Sequence, residues 1–264
     1  MKLWVITRKS CITALLLLLI VILSVFVIKN AAISSVSGNK KDLPIYCVDK
    51  GDEKVASISF DAAWGNEDTE QLINILNKYN VKATFFVVGD WVDKYPESVK
   101  QLSDAGHEVM NHSNKHPHMP ELSKDKMRDE LTACNNKIEA ITGVKPILFR
   151  APYGDYNNEV IQTVRECGSY TIQWDVDSLD WKDLSADEIT KRVTSKIKPG
   201  SIVLFHNAAK HTPEALPGIL EKLKSDGYNI IPISQLIYAD NYTIDTEGRQ
   251  HLNSNTASDS EKSQ

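Results

Sequence analysis

The sequence predicts an α/β fold whose parallel strands close into a ring. Two observations carry this expectation. Between about residues 44 and 239, seven short β-rich runs alternate with helical patterns. Polar residues suited to chemistry also stand just past the ends of five of those runs. Strands joined through helices pair in parallel by right-handed crossovers. A barrel collects reactive groups around its whole C-terminal rim, whereas an open doubly wound sheet uses mainly one switch point, so contributions from five strands favour the ring.

The elements follow in order. Val55 to Phe60 is the first strand, and Leu72, Ile73 and Leu76 mark the face of a first helix. Ala83 to Val88 is the second strand, Pro96 to Ala105 a helix stopped by Gly106, and His107 to Asn111 the third strand. Ser123 to Thr142 reads as a long helix with Met127, Leu131, Cys134, Ile138 and Ile141 on one side and Gly143 as its cap. Pro146 to Phe149 is the fourth strand, Asn157 to Cys167 a helix ended by Gly168, and Ser169 to Trp174 the fifth strand. Ser185-Ala186-Asp187-Glu188 is a capping box opening another helix. Ser201 to Phe205 is the sixth strand, Glu214 to Ser225 a helix, and Tyr228 to Ile231 the seventh strand.

The flanks read differently. Lys2, Arg8 and Lys9 precede Cys11 to Ile28, 18 residues with nothing more polar than Thr13 and Ser24, and Lys29 closes the run. A helix of that length covers about 27 Å, barely a hydrocarbon core. Residues 1–30 therefore read as a signal anchor in the cell membrane with the rest outside, or as a signal peptide whose cleavage releases the domain. Residues 31–43 read as a tether, and the polar residues 240–264 as a disordered tail. Past the four basic residues of the leader, 26 basic residues face 35 acidic ones, a balance of −9 that argues against a nucleic-acid partner. The four cysteines are too few for a disulfide scaffold.

Asn111-His112-Ser113-Asn114-Lys115-His116-Pro117-His118 is the densest candidate site, and with His107 it holds four of the seven histidines. If Ser113 to His116 begin a helix, the imidazoles of His112 and His116 share a face and can grip one divalent cation. Asp61, ending the first strand, suits a loop cap, a general base or a metal ligand. Arg150, ahead of the rigid Ala151-Pro152-Tyr153-Gly154 turn, is placed to hold a carboxylate in two hydrogen bonds. Asp175, Asp177 and Asp180 lie between Trp174 and Trp181, which suits a carboxylate that orients a histidine beside an indole face for a sugar ring. His206 ends the apolar run Ile202-Val203-Leu204-Phe205.

Taken in this order, these segments resemble the polysaccharide deacetylase family, the NodB-homology domain of carbohydrate esterase family 4, over roughly Val55 to Ser234. The resemblance implies a deformed (β/α)7 barrel and metal-dependent removal of N-acetyl groups from cell-wall or chitin-type polysaccharide, on N-acetylglucosamine or muramic acid units. Ser59-Phe60-Asp61 is similar to the family's Thr-Phe-Asp-Asp-Gly opening, which puts Asp61 at the catalytic base. His112 and His116 match the metal motif, with zinc the implied ion. Arg150-Ala151-Pro152-Tyr153 matches the groove motif, in which Arg150 orients the base, the Tyr153 N–H serves the oxyanion hole, and Pro152 and Tyr153 touch substrate. Asp180-Trp181 is similar to the motif supplying a carboxylate and an aromatic wall, and Leu204-Phe205-His206 to the one whose His206 protonates the leaving amine.

One position departs from the pattern. The family's second Asp, a metal ligand, is Ala62 here, as in the sporulation-associated PdaB-like branch that the motif resembles. Catalytic zinc sites normally have three protein ligands. Asp61 itself, Asn66, Asp68 or His118 are the candidate replacements. The alternative is a glycan-binding or envelope-assembly module without turnover. A zinc peptidase of the HExxH type is excluded because Ser113 follows His112 where that chemistry needs glutamate.

Overall fold

The computed structural model describes residues 41–253. The apolar leader, the tether up to residue 40 and the last eleven residues of the tail lie outside the described residues. The chain runs β1 (Cys47–Val48), β2 (Val55–Ala62), α1 (Thr69–Lys78), β3 (Thr84–Val87), α2 (Gly89–Lys94), α3 (Pro96–Asp104) and β4 (Glu108–Asn111). Next come α4 (Lys124–Thr142), β5 (Leu148–Phe149), α5 (Asn158–Glu166), β6 (Tyr170–Thr171), β7 (Val176–Asp177), α6 (Ala186–Thr194) and β8 (Ile202–His206). It ends in α7 (Thr212–Ser225), β9 (Asn229–Ile230), α8 (Ile233–Leu236), β10 (Tyr242–Ile244) and β11 (Arg249–Leu252).

The main sheet has the strand order β6-β5-β4-β3-β2-β8-β7, with every pairing parallel, as expected of strands joined through helices. Local chemistry explains several boundaries. Ser185 and Glu188 form the expected reciprocal capping box at the start of α6, and α4 stops at Gly143, whose φ of 72° suits glycine. Asn157 caps α5 by accepting the Val160 N–H at 2.9 Å.

The ring does not close by strand pairing: the sheet path ends at β6 on one side and β7 on the other. The entering segment lies along that seam instead. Ile45 N–H donates to Thr171 O, Gln173 N–H donates back to Ile45 O at 2.7 Å, and Val48 N–H donates to Gly200 O. The seventh predicted strand also sits elsewhere. It shortens to β9 and pairs with Val55 and Ala56 at the start of β2, because β3 first meets β2 at Ser59 and leaves that edge free below.

The polar tail is partly ordered. Residues 242–252 form a hairpin whose second strand pairs in parallel with β1, giving a three-stranded sheet β1-β11-β10. Composition underrated it because its stability comes from pairing and polar clasps rather than from a core. His251 bridges Asp49 and Asp245 at 2.9 Å each, and Gln250 is fully buried against the backbone of Tyr238.

Alternation along β2 divides the core. Ile58, Phe60 and Ala62 pack with Leu72, Leu76, Phe85 and Phe205 on the helix side of the sheet. Val55, Phe86, Met110, Leu148, Ile172 and Ile202 fill the other side. Cys47 and Cys134 are buried, Cys167 is half-buried, and all three are free thiols.

Gly200 marks the tightest point of the seam. Its φ is +81°, and a Cβ there would sit 1.7 Å from the Val48 carbonyl oxygen. Gly200→Ala is expected to lower unfolding free energy by about 2 kcal/mol or more, because it combines backbone strain with a clash that only main-chain movement relieves. Urea denaturation of the two forms checks this.

Candidate active site

The strand ends carry the candidate residues to one cavity of about 440 Å³, lined by Asp61, Ala63, Trp64, His112, His116, Tyr153, Gly154, Trp174, Asp177, Trp181, Leu204 and His206. Asp61 comes from the end of β2 and His206 from the end of β8, directly opposite each other in the register. His112 follows β4 and Arg150 follows β5.

Arg150 is the buried centre of this arrangement. Its exposure is 0%, and its Nη1 donates to Asp61 Oδ1 at 2.7 Å. Nη2 donates to Ser59 Oγ at 2.9 Å and to Gln173 O at 3.2 Å, so the carboxylate receives one hydrogen bond from the guanidinium and not the expected two. The guanidinium also lies over the Phe86 ring, 4.1 Å from its centroid. Burial opposes the charge on Asp61, but Arg150, His112 and His206 outweigh it and hold its pKa below the ordinary carboxylate value. The stability this contributes is present above the ordinary value and is lost as pH falls through the lowered one.

His112 and His116 meet through a loop, not a helix. Ser113 and His116 both have positive φ, and Ser113 Oγ accepts the His116 N–H at 2.9 Å, so a side-chain turn replaces the expected helical one. The two rings lie edge to face with centroids 5.0 Å apart. His112 Nδ1 bonds the Arg150 carbonyl at 2.8 Å, which turns Nε2 toward Asp61 Oδ2, 3.6 Å away. Burial lowers both pKa values, that of His116 to about 4 with His112 adding to the effect, so both imidazoles are neutral near pH 7.

His206 behaves in the opposite way. Its Nδ1 bonds Asp180 Oδ1 at 2.8 Å, and its own N–H donates to Asp180 Oδ2. Thr212 Oγ1 and the Trp181 N–H also donate to that buried carboxylate. Burial works against the imidazolium, yet Asp180, Asp61 and Asp177 raise its pKa above 6.5. This contribution to stability is complete below 6.5 and is lost as pH rises through the raised value.

Tyr153 has a φ of +61° in the short turn after Arg150, and its exposed ring stacks on His118 with centroids 4.1 Å apart. Pro152 is buried and does not line the cavity, whereas Trp181 does. Asp175 turns away to Ser201 and the Ile202 N–H. Sequence reasoning left Asn207 without a role. It is buried, and its Nδ2 donates to the carbonyls of Trp64 and Gly65, locking the loop after β2. Its place directly after His206 was the only signal.

The metal implied by the fold lacks its third ligand. Ala62 packs on the helix side, and its carbonyl accepts the Val88 N–H. Of the possible replacements, Asn66 bonds Ser98, Asp68 is buried against the Ala208 N–H, and His118 pairs with Asp155. Asp61 already holds Arg150. Among the described residues, no group of three His, Cys, Asp or Glu side chains is arranged to hold a metal ion, so the residues present do not fit a three-ligand catalytic zinc site.

Residues 49–172 match the family model described as polysaccharide deacetylase. A peptidoglycan-N-acetylglucosamine deacetylase of Bacillus cereus is 34% identical over 190 residues, 70% of this chain and 89% of that one. The peptidoglycan-N-acetylmuramic acid deacetylase PdaA of Bacillus subtilis is 33% identical, over 70% of this chain and 72% of its own length. The chain belongs to the polysaccharide deacetylase family. It spans 60% of the length of YlxY of Bacillus subtilis, an uncharacterised protein 36% identical over 74% of this chain. A crystal structure of a CE4 family pseudoenzyme from Bacillus anthracis superimposes with a TM-score of 0.71 at 39% identity, covering 79% of this chain and 72% of that one.

Two outcomes follow from this geometry. Arg150→Met is expected to destabilise the fold by about 3 to 5 kcal/mol because it leaves the Asp61 charge buried and unpaired, and adding Asp61→Asn recovers part of that loss in urea unfolding. Asp180→Asn lowers the titration midpoint of His206, followed by NMR of its ring protons, because burial then meets less opposition.

Proposed function

We propose that this chain is a hydrolase that removes N-acetyl groups from cell-wall polysaccharide. The observation that carries this reading is the pairing of two differently tuned groups across one cavity. Arg150, 2.7 Å from Asp61, favours its ionised form, and Asp180, 2.8 Å from His206, favours its protonated form.

In this scheme Asp61 takes the proton of a water attacking the amide carbonyl. The Tyr153 backbone N–H, set by the strained turn, is the donor for the developing oxyanion, the kind of contact worth about 3 kcal/mol when well aimed. His206 then gives its proton to the departing amine, so that a neutral amine leaves in place of an amide anion. The names of the relatives support peptidoglycan as the substrate class, with N-acetylglucosamine and N-acetylmuramic acid both represented. The basic, carboxylate-free leader and its apolar run support a domain held outside the cell membrane or secreted, within reach of that wall. The Asp61-Ala62 motif supports a place in sporulation.

Ala62 favours a second reading, a glycan-binding module without turnover, and the likeness to a pseudoenzyme agrees with it. Acetate release from N-acetylglucosamine oligomers and from peptidoglycan separates the two. The hydrolase reading expects release that falls at least about 100-fold in Asp61→Asn and in His206→Asn. Release unchanged in both variants would sink the scheme, and binding without any release would establish the module.

A further inference from the structure

The geometry points to a second sugar platform at Trp64, a residue outside the family motifs. This inference rests on the glycan reading above but not on turnover. Six large hydrophobic side chains are exposed among the described residues, and the three aromatic ones, Trp64 at 64%, Tyr153 at 58% and Trp181 at 60%, all line the same cavity. Exposed aromatic side chains gathered at one opening mark a binding face.

Trp64 is distinguished by how firmly its loop is fixed. Asn207 Nδ2 donates to the Trp64 carbonyl at 2.5 Å and to the Gly65 carbonyl at 2.8 Å, and the buried Trp91 indole donates to Gly65 O at 2.5 Å. The indole nevertheless projects into solvent, edge-on to His116 with centroids 5.4 Å apart. Fixing in advance the backbone that carries an exposed indole lowers the entropy cost of ligand binding. The strand order places Trp64 just past β2 and Trp181 beyond β7, with His206 of β8 between them. One face of Trp181 is occupied by the Lys182 ammonium, 4.9 Å from the ring centroid, whereas no cation lies over Trp64 among the described residues.

A pyranose ring has an apolar C–H face and a hydroxyl edge. An aromatic face beside Asp61, Asp177 and His206 matches both, as indoles do at interfaces where one side is apolar and the other wet. Trp64 thus holds one sugar unit and Trp181 its neighbour, so the ligand is an oligomer rather than a single sugar.

Calorimetric titration of the full chain with the N-acetylglucosamine tetramer, and co-sedimentation with insoluble peptidoglycan, test this. Trp64→Ala should weaken binding at least about tenfold, Trp64→Phe should keep most of it, and Asn207→Ala should weaken it in the same direction. Binding by Trp64→Ala within twofold of the unaltered chain, or an unaltered chain that holds neither probe, overturns the platform. Tight binding lost on Trp64→Ala supports it whether or not acetate is released, so its failure and that of the hydrolase reading are told apart.

Discussion

A guanidinium sealed from water determines the centre of this protein. Arg150 has no exposed surface, and an unpaired charge in that position would cost several kcal/mol. Several segments supply something to lower that cost: Asp61 and Ser59 from β2, the Phe86 face from β3, and the Gln173 carbonyl just past β6. The Arg150 carbonyl in turn fixes the tautomer and direction of His112. One residue therefore couples the ionisation of Asp61 to the orientation of an imidazole in the same cavity.

Five of the eight non-glycine residues with positive φ among the described residues fall around the same place. Ser113, His116, Tyr153, Leu179 and Ala208 all have positive φ without being glycine, and each lies in a loop leaving a strand end near the cavity. Such conformations persist only where neighbouring contacts over-determine them. Those contacts are visible: Ser113 Oγ holds the His116 N–H, Asp177 holds the Leu179 N–H, and Asp68 holds the Ala208 N–H. The loops are thus held in shape before any ligand arrives.

Much of this was legible in the residues. The strand runs were marked by apolar stretches and the helices between them were stopped by glycines, and strand-end polar residues pointed to one rim because parallel strands all deliver their C-terminal ends to the same side. That one carboxylate of the Asp175, Asp177 and Asp180 group would orient a histidine was readable, but that Asp180 is the one that meets His206 was visible only in the structure. The open seam was not readable, because nothing local distinguishes a strand that pairs from one that ends a sheet. Nor was the ordered hairpin near the C-terminus, whose polar residues look like solvent-facing ones until Asp49, some 200 residues earlier, is seen to be their partner. The loop joining His112 to His116 escaped for a similar reason: a four-residue spacing fits a helical turn and a serine-braced turn equally well.

The seam has a mechanical side. Ile45 O accepts from Gln173 N, Gln173 O accepts from Arg150, and Arg150 holds Asp61. The point where the chain enters the sheet is therefore only three successive hydrogen bonds away from the Asp61 carboxylate, so a displacement of that entry strand bears on how the carboxylate is held.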